Sequence, residues 1–276
     1  MHALTTAALV RDTFREAFAR KIFWGLFGLS TALIVFFLFL LKIDIVEGAM
    51  ATVTLFGRTA DRSMDASRLV NQTFAGIATF LYSFGMVLAV FASAGLIPSI
   101  LEPGRIELLL SKPVSRAHIL LGRFVGNLLV VGLNITYLIV GIWIILGWKT
   151  GIWSLHFLLA ILTTALTFAV LLSVVVLVGV LWESTALSTM IPVALMIISP
   201  ILAQNRVAER LLSSEWSRQL WNGLYYTFPK IFDMGVLTRQ IVLQKPVESW
   251  MPVWSSALFG IAVLLAGIYA FTKKDF

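Results

Sequence analysis

Few residues in this 276-residue chain could carry out chemistry, and they lie far apart. The three histidines are His2, His118 and His156, and no His-Glu-x-x-His pair with the spacing of a zinc site occurs. The absence of cysteine excludes disulfides, thiolate metal ligands and a cysteine nucleophile. No glycine-rich loop ends in Gly-Lys, so the chain lacks the phosphate-cradling route to ATP. We therefore expect no catalytic residue, and neither a metal nor a cofactor on the chain itself.

Hydroxyl side chains are plentiful in the apolar stretches, but no general base accompanies them. The hydroxyls considered are those of Ser83, Ser93, Thr163, Thr164 and Ser173. Hydroxyls on membrane helices mostly bond their own backbone or a neighbouring helix. The same stretches lack internal acidic and basic residues, which ion pumps and proton-coupled transporters generally use. The pattern favours packing over a stand-alone membrane hydrolase or proton-driven pump.

Composition places the chain among polytopic membrane proteins. It is 59% hydrophobic and only 13% charged, whereas a soluble domain has about 25% charged residues. Six charge-free runs each reach the roughly 20 residues that a helix needs to cross the hydrocarbon. The runs are 22–41, 71–101, 124–148, 150–182, 184–205 and 249–272. Because spanning segments must satisfy their backbone hydrogen bonds internally, we predict an all-α polytopic membrane protein with six transmembrane helices in a single domain, 1–276.

The segment before the first run, residues 1–21, has the pattern of an amphipathic helix. Val10, Phe14, Phe18 and Ile22 recur every four residues, and charged residues face away from them. A helix of this kind lies in the headgroup layer of a membrane. A solvated helical lead-in to the first span is the alternative.

Basic residues are densest on one side of the six runs. The connection over residues 102–123 carries Arg105, Lys112, Arg116 and Arg123, whereas the next connection offers only Lys149. The positive-inside bias therefore predicts a multi-pass protein of the cell membrane (inner or plasma), with both termini and the second and fourth connections cytoplasmic. Since the basic residues form short patches beside apolar runs, we expect no nucleic-acid partner.

The segment over residues 206–248 is expected on the opposite side of the membrane. Leu212, Trp216, Leu220 and Leu224 recur every four residues within it. This spacing predicts an interfacial helix with aromatic rings at headgroup level. Proline cannot continue a helix, so Pro229 is expected to end it.

Two packing features occur within the runs. Gly85, Ala89 and Ser93 form a stripe of small residues at spacings of four. Such a stripe lets helices approach closely, either within one subunit or between subunits. Pro192 and Pro200 favour kinks in the fifth run, which is compatible with a gating helix.

The connection over residues 102–123 contains several residues that form turns or end helices. The pair Pro103-Gly104 predicts a turn, Pro113 ends a short apolar stretch, and Ser111 or Ser115 can cap the helix that follows. A short helix then leads into the third run. The result would be a compact helix–turn–helix that exposes Lys112, Arg116 and His118. On charge alone, a docking protrusion and a plain positive-inside loop are both open.

The stretch EPGRIELLLSKPVSRAHILLGRFVG, residues 102–126, resembles the first cytoplasmic connection of ABC-2 type (type V) ABC transporter permeases. The layout is similar too, from the amphipathic N-terminal helix and six spans to the long segment before the last span and the basic end FTKKDF. The resemblance implies a transmembrane permease subunit, most simply of an exporter. It further implies that the connection is a coupling helix seated in a groove of a separate nucleotide-binding subunit.

The resemblance also implies the residues that would contact this ATPase partner. They are Glu102, Arg105, Glu107, Ser111, Lys112, Pro113, Val114, Ser115, Arg116 and His118, with Glu183 in the second cytoplasmic contact. Arg105 departs from the family pattern, in which small or threonine residues are frequent, and Glu183 could instead cap a helical hairpin. ATP and Mg would be bound and hydrolysed on the partner. A second copy of this chain, or a paralogue, would complete the path.

Two other classes of function stay open. One is a membrane scaffold that anchors a cytoplasmic protein without transport, and the other is an ion-coupled secondary carrier or membrane enzyme. A path lined by Phe, Trp and Leu favours amphipathic, lipid-like or peptide cargo. Small polar cargo, handled together with an external accessory protein, is the alternative. Membrane lipids are expected partners in either case.

Overall fold

The computed structural model describes residues 21–40, 42–46, 50–55, 58–59, 64–95, 98–99, 101, 115–204 and 214–274. Within these ranges the chain forms eight helices. They are α1 (Lys21–Leu40), α2 (Ala66–Ser93), α3 (Arg116–Thr150), α4 (Leu155–Trp182), α5 (Thr185–Leu202), α6 (Glu215–Thr227), α7 (Ile231–Val242) and α8 (Met251–Lys273). The amphipathic helix predicted for residues 1–21 lies outside the described residues, apart from Lys21, the first residue of α1.

Within the described residues, five helices are long and apolar enough to cross a membrane: α3, α4, α5, α8 and the Val70–Ser93 part of α2. The first helix, α1, contains a shorter apolar stretch, Phe23–Phe39. The prediction of a helical multi-pass membrane protein is therefore confirmed at this level. Pro192 and Pro200 both lie inside α5, which continues as a helix through them.

Four short strands lie between α1 and α2, in a connection for which no secondary structure was predicted. They are β1 (Lys42–Val46), β2 (Met50–Leu55), β3 (Arg58–Thr59) and β4 (Met64–Asp65). All pairing is antiparallel, and β2 pairs with each of the other three. The all-α prediction therefore holds for the helical bundle and not for this connection. Polar and apolar residues alternate in β1 (KIDIV) and in most of β2 (MATVTL), which is a strand signal, whereas β3 and β4 have only two residues each and carry none.

The fourth helix, α4, is the central element of the bundle. It contacts α2, α3, α5, α7 and α8. Its sequence is apolar on all sides, which is the pattern of a helix surrounded by other helices. Buried side chains follow its whole length, from Phe157 through Phe168 to Val180.

Small residues let α8 pack closely against α4. Ser256, Gly260 and Gly267 are all buried on α8. A Cβ atom on Gly260 would lie 3.3 Å from the Cα atom of Val170, so the two backbones nearly touch. Ser256 and Gly260 have the small-xxx-small spacing that favours helix contact in membranes. The stripe predicted from the sequence lies on α2 instead, and the one on α8 was not predicted.

The third helix, α3, is one continuous helix of 35 residues. The sequence predicted a short helix that leads into a span beginning at residue 124, and in the structure the two form one helix. No proline interrupts the segment between them, so the ladder of backbone hydrogen bonds runs on from Arg116. Thirty-five residues rise about 52 Å, more than the ~30 Å hydrocarbon. The helix ends at Gly151, whose φ of +69° suits glycine.

Candidate functional site

The bundle has two ends, each named here after one basic residue. At the Arg116 end, α3 begins beside the point where α8 finishes, since Arg116 donates to the carbonyl of Thr272. At the Lys149 end, α1 finishes beside the last turn of α3, since the Lys149 ammonium donates to the carbonyl of Leu38. Residues that the sequence singled out for coupling and that the structure describes all lie at the Arg116 end.

Lys274 joins the two connections at the Arg116 end. The Arg116 guanidinium donates to the Lys274 carbonyl at 2.5 Å. The Lys274 ammonium donates to the carbonyl of Val180 at 2.7 Å and forms an ion pair with Glu183. The start of α3 and the turn between α4 and α5 are therefore linked through the residue that follows α8.

Glu183 has a second role in the turn between α4 and α5. It adopts a left-handed backbone conformation with φ of +53°, and its N–H donates to the carbonyl of Gly179 at 3.1 Å. Ser184 then caps α5 by accepting from the N–H of Leu187. Glu183 thus ends one helix of a tight hairpin and also carries the charge that Lys274 binds. Glu183 therefore holds the C-cap position of α4, as in the capping alternative, and its contact with an ATPase partner stays a prediction.

An apolar cluster supports this network from inside the bundle. Leu101, Leu120, Val176, Val180 and Phe271 are each buried there, and they come from four parts of the chain. Leu101 immediately precedes the connection that the sequence singled out. Both flanks of that connection are therefore fixed to the Arg116 end, because Leu120 belongs to the first turns of α3.

Ser115 supplies the cap of α3, which was one of the two alternatives from sequence. Its Oγ accepts from the N–H of His118 at 3.3 Å and lies 2.5 Å from Nδ1 of the same histidine. His118 therefore stabilises the first turn of α3. Seven residues predicted as contacts lie outside the described residues: Glu102, Arg105, Glu107, Ser111, Lys112, Pro113 and Val114.

The stripe of small residues on α2 is divided between two environments. Ala89 and Ser93 are buried inside this chain, and the Ser93 hydroxyl donates to the carbonyl of Ala89 at 2.7 Å. Gly85 is half-buried, with no atom within 4 Å of the position a Cβ would take. Thr163 and Ser173 also donate to carbonyls of their own helix, as predicted for hydroxyls without a base.

A second polar cluster, at the Lys149 end, was missed by sequence analysis. The helices α6 and α7 form a hairpin whose turn contains Lys230, which is only 2% exposed. The Lys230 ammonium donates to the carbonyl of Tyr225 at 2.9 Å and lies 4.2 Å from the centre of that ring. The Tyr225 hydroxyl donates to Asp233 at 2.8 Å. We refer to Tyr225, Lys230 and Asp233 as the hairpin cluster.

Opposing effects act on the charges of the hairpin cluster, which lies outside the five candidate spans. Burial raises the pKa of the Asp233 carboxyl, while the Tyr225 hydrogen bond and the Lys230 charge act against that rise. Burial lowers the pKa of the Lys230 ammonium, and the Asp233 charge opposes it. Burial and the hydrogen bond to Asp233 raise the pKa of Tyr225. The partners therefore favour the charged forms of Lys230 and Asp233, which burial disfavours.

Hydrogen bonds fix the hairpin within the bundle. The Tyr82 hydroxyl donates to the carbonyl of Ile231 at 2.6 Å, and the N–H of Phe232 donates to Ser199 at 2.9 Å. Further along α7, the hydroxyls of Thr238 and Thr163 are 2.8 Å apart. The α7 helix therefore contacts α2, α4 and α5 through buried polar pairs. Sequence alone could not match these partners, because the Tyr82–Ile231 pair is separated by 149 residues.

Among the described residues, no group of acidic, histidine or cysteine side chains could hold a metal ion. The described part of the chain offers two clusters that link helices and a bundle of apolar helices around α4. These features define a helical multi-pass membrane protein whose polar groups organise its ends.

Comparison with protein families assigns the class more narrowly. A family model described as ABC-2 family transporter protein matches residues 7–276. The chain therefore belongs to the ABC-2 family of transporter membrane proteins. The resemblance inferred from the sequence is confirmed over nearly the whole chain. No curated protein matches it at a significant level.

Proposed function

We propose that this ABC-2 family protein is the permease subunit of an ATP-driven exporter. Two permease copies, or this chain and a paralogue, form the path, and separate nucleotide-binding subunits supply the energy. The coupling element is the connection over residues 102–123. Family membership over residues 7–276 supports the transport role.

The network around Lys274 carries the coupling part of the proposal. An ATPase that pushes on the connection must move transmembrane helices, and α3 begins at Arg116 without a break after it. Arg116 is bonded to Lys274, and Lys274 is paired with Glu183. A force applied near Arg116 would therefore reach α3, α4, α5 and α8 together, because packed elements transmit displacement.

The same geometry supports a cytoplasmic Arg116 end and a sixth crossing by α1. The Arg116 end carries Arg116, Arg123, Lys273 and Lys274 against the single acid Glu183 among the described residues, in keeping with the positive-inside bias. The α1 helix lies parallel to α3. Ser30 donates to Asn134 at 3.0 Å, and further along Ile34 lies against Gly141. The α1 helix therefore starts towards the Arg116 end and finishes at the Lys149 end.

Charge reversal at the connection tests the coupling. The double variant Arg116→Glu with Pro113→Gly should abolish the stimulation of the partner's ATP hydrolysis in the purified complex. Lys245→Glu is the matched control, since Lys245 is exposed near the Lys149 end, after α7. Unchanged association and unchanged ATP hydrolysis in the double variant would contradict the coupling role.

A further inference from the structure

A groove at the Lys149 end is bounded by α2, α5 and α7. Its volume is about 360 Å³, within the range of pockets that hold small molecules. Each helix contributes a pair of residues at a spacing of four. The pairs are Thr79 and Ser83 on α2, Met196 and Pro200 on α5, and Phe232 and Val236 on α7.

Among the described residues that line this groove, Arg239 alone is charged. It continues the α7 stripe of Phe232 and Val236 at the next helical turn, so the three residues share one face. The Arg239 side chain is exposed, and within the described parts of the chain it has neither an ion-pair nor a hydrogen-bond partner. The nearest acid on the same helix, Asp233, accepts from Tyr225.

The direction of α7 places the cation at the mouth of the groove. At the start of α7, the Ile231 carbonyl accepts a hydrogen bond from the Tyr82 hydroxyl. The same hydroxyl lies 3.2 Å from the Thr167 hydroxyl of α4. Near the end of α7, the Thr238 hydroxyl donates to the Thr163 hydroxyl. Thr163 is one turn closer than Thr167 to the start of α4, which lies at the Lys149 end. The α7 helix therefore runs from inside the bundle towards the membrane surface. Arg239 lies about 10 Å further along the α7 axis than Phe232 does, at 1.5 Å per residue.

We propose that this groove binds one anionic membrane lipid. The lipid phosphate pairs with the Arg239 guanidinium, whose planar fork suits phosphate oxygens. An acyl chain lies along Phe232 and Val236, with Met196 and Pro200 on the opposite wall. A cation above an apolar slot matches the order of groups in a phospholipid.

The groove is held in shape before any ligand arrives. The hairpin cluster fixes the turn before α7, and Ser199, which binds the N–H of Phe232, fixes the distance to α5. Gly235 lets α7 approach α2, because a Cβ there would lie 3.0 Å from the Tyr82 ring. A preformed site loses less free energy on binding than a mobile one. The inference goes beyond the transport role, since it concerns binding whether or not the lipid is cargo.

Native mass spectrometry of the purified full chain, in whatever assembly it forms, tests the site. The protein is extracted from bilayers that contain phosphatidylglycerol and phosphatidylcholine with identical acyl chains in equal amounts. We expect preferential retention of phosphatidylglycerol, reduced about fivefold by Arg239→Gln, since one basic residue near a membrane surface contributes that factor. Lys245→Gln is the matched control and should retain the preference.

Two further measurements separate a lipid from other occupants. Val236→Trp should fill the groove and reduce the retention of both lipids, while an excess of inorganic phosphate should displace neither. Displacement by phosphate would instead show a simple anion site and would overturn the proposal. Equal lipid retention by Arg239→Gln and the unsubstituted protein would overturn it too. A change from dimer to monomer on Arg239→Gln, with unchanged lipid retention, would assign the groove to a second copy.

Discussion

At the scale of single residues, Tyr82 lies where α2, α4 and α7 meet. Its ring is buried against Gly235, and its hydroxyl donates to the carbonyl of Ile231. Hydrogen-bonded pairs between membrane helices contribute modestly to the free energy of unfolding, mostly below 2 kcal/mol each. Their larger effect here is geometric, because they select one position for α7 among neighbours that are all apolar.

Tyr82→Phe should lower the free energy of unfolding by about 1 kcal/mol, because the Ile231 carbonyl loses its donor inside the bundle. Thermal unfolding of the detergent-solubilised protein measures the effect. Tyr269→Phe is the matched control, since Tyr269 is 66% exposed and no contact of its hydroxyl is described in the structure. An equal change in both variants would contradict the anchoring role of Tyr82.

The Lys274–Glu183 pair should contribute to coupling more than to stability. Both side chains are partly exposed, so the pair is worth at most about 1 kcal/mol. Glu183→Gly removes the pair and also relieves a left-handed conformation that costs a non-glycine residue about 1 kcal/mol. We therefore expect Glu183→Gly and Lys274→Gln to keep the midpoint of thermal unfolding. Both should reduce the stimulation of ATP hydrolysis in the complex.

Lys245→Gln serves as the control for that measurement, since it removes a cation from the opposite end of the bundle. If Lys274→Gln stimulated ATP hydrolysis as fully as the control, the link through Lys274 would have no part in coupling. If Glu183→Gly unfolded the protein, its role in the turn would outweigh the relief of backbone strain.

At the scale of elements, the hairpin of α6 and α7 depends on compensated charges. Lys230→Met should lower the free energy of unfolding by about 2 kcal/mol, because Asp233 then remains partly buried without a nearby cation. The double variant Lys230→Met with Asp233→Asn should lose less than the single variant. Thermal unfolding of the two variants measures this difference. A loss of stability in the double variant that equals or exceeds that of the single variant would contradict the mutual stabilisation of Lys230 and Asp233.

The contact of α4 with α8 depends on the absence of a side chain at Gly260. Gly260→Leu should cost about 1–3 kcal/mol of stability, because its side chain would push the α8 backbone away from Val170. Gly25→Leu is the matched control, since Gly25 is exposed on α1 with nothing within 4 Å of its Cβ position. Similar thermal midpoints for both variants would contradict the close packing.

Element prediction from this sequence succeeds where one physical constraint dominates. A long charge-free run has to satisfy its backbone in hydrocarbon, so α3, α4 and α5 follow from composition alone. The cap at Ser115 and the end of α6 before Pro229 follow from local chemistry. The strands β3 and β4 do not, because two residues show no period, whereas the alternation in β1 and β2 was a signal that the prediction did not use.

The sites depend on contacts between distant parts of the chain, which a single sequence does not display. Arg116 and Glu183 were selected from the resemblance, but Lys274, which joins them, was noted only as part of a basic end. Lys230 and Asp233 were counted as part of an external segment, although Lys230 is buried in the structure. The sequence did contain a signal for this cluster. Lys230 and Asp233 lie close to Tyr225 and Pro229 in an otherwise apolar stretch, which indicates a turn with paired charges.

At the scale of the whole molecule, one arrangement accounts for both polar clusters. The Arg116 end gathers the flanks of the proposed coupling connection, residues 102–123, and the Lys149 end holds a hydrogen-bonded hairpin beside a groove. The central helix α4 contacts elements that contribute to each end. A displacement imposed at one end would therefore reach the other, as the proposed transport driven from the cytoplasm requires.

Purification of this chain through an affinity tag, from the cells that naturally contain it, tests the central claim most directly. We expect a separate polypeptide with a Gly-Lys phosphate loop to co-purify in comparable amount, and the complex to hydrolyse ATP. A mock purification from untagged cells gives the background. A folded chain that purifies with no such partner and no ATP hydrolysis above background would contradict the account.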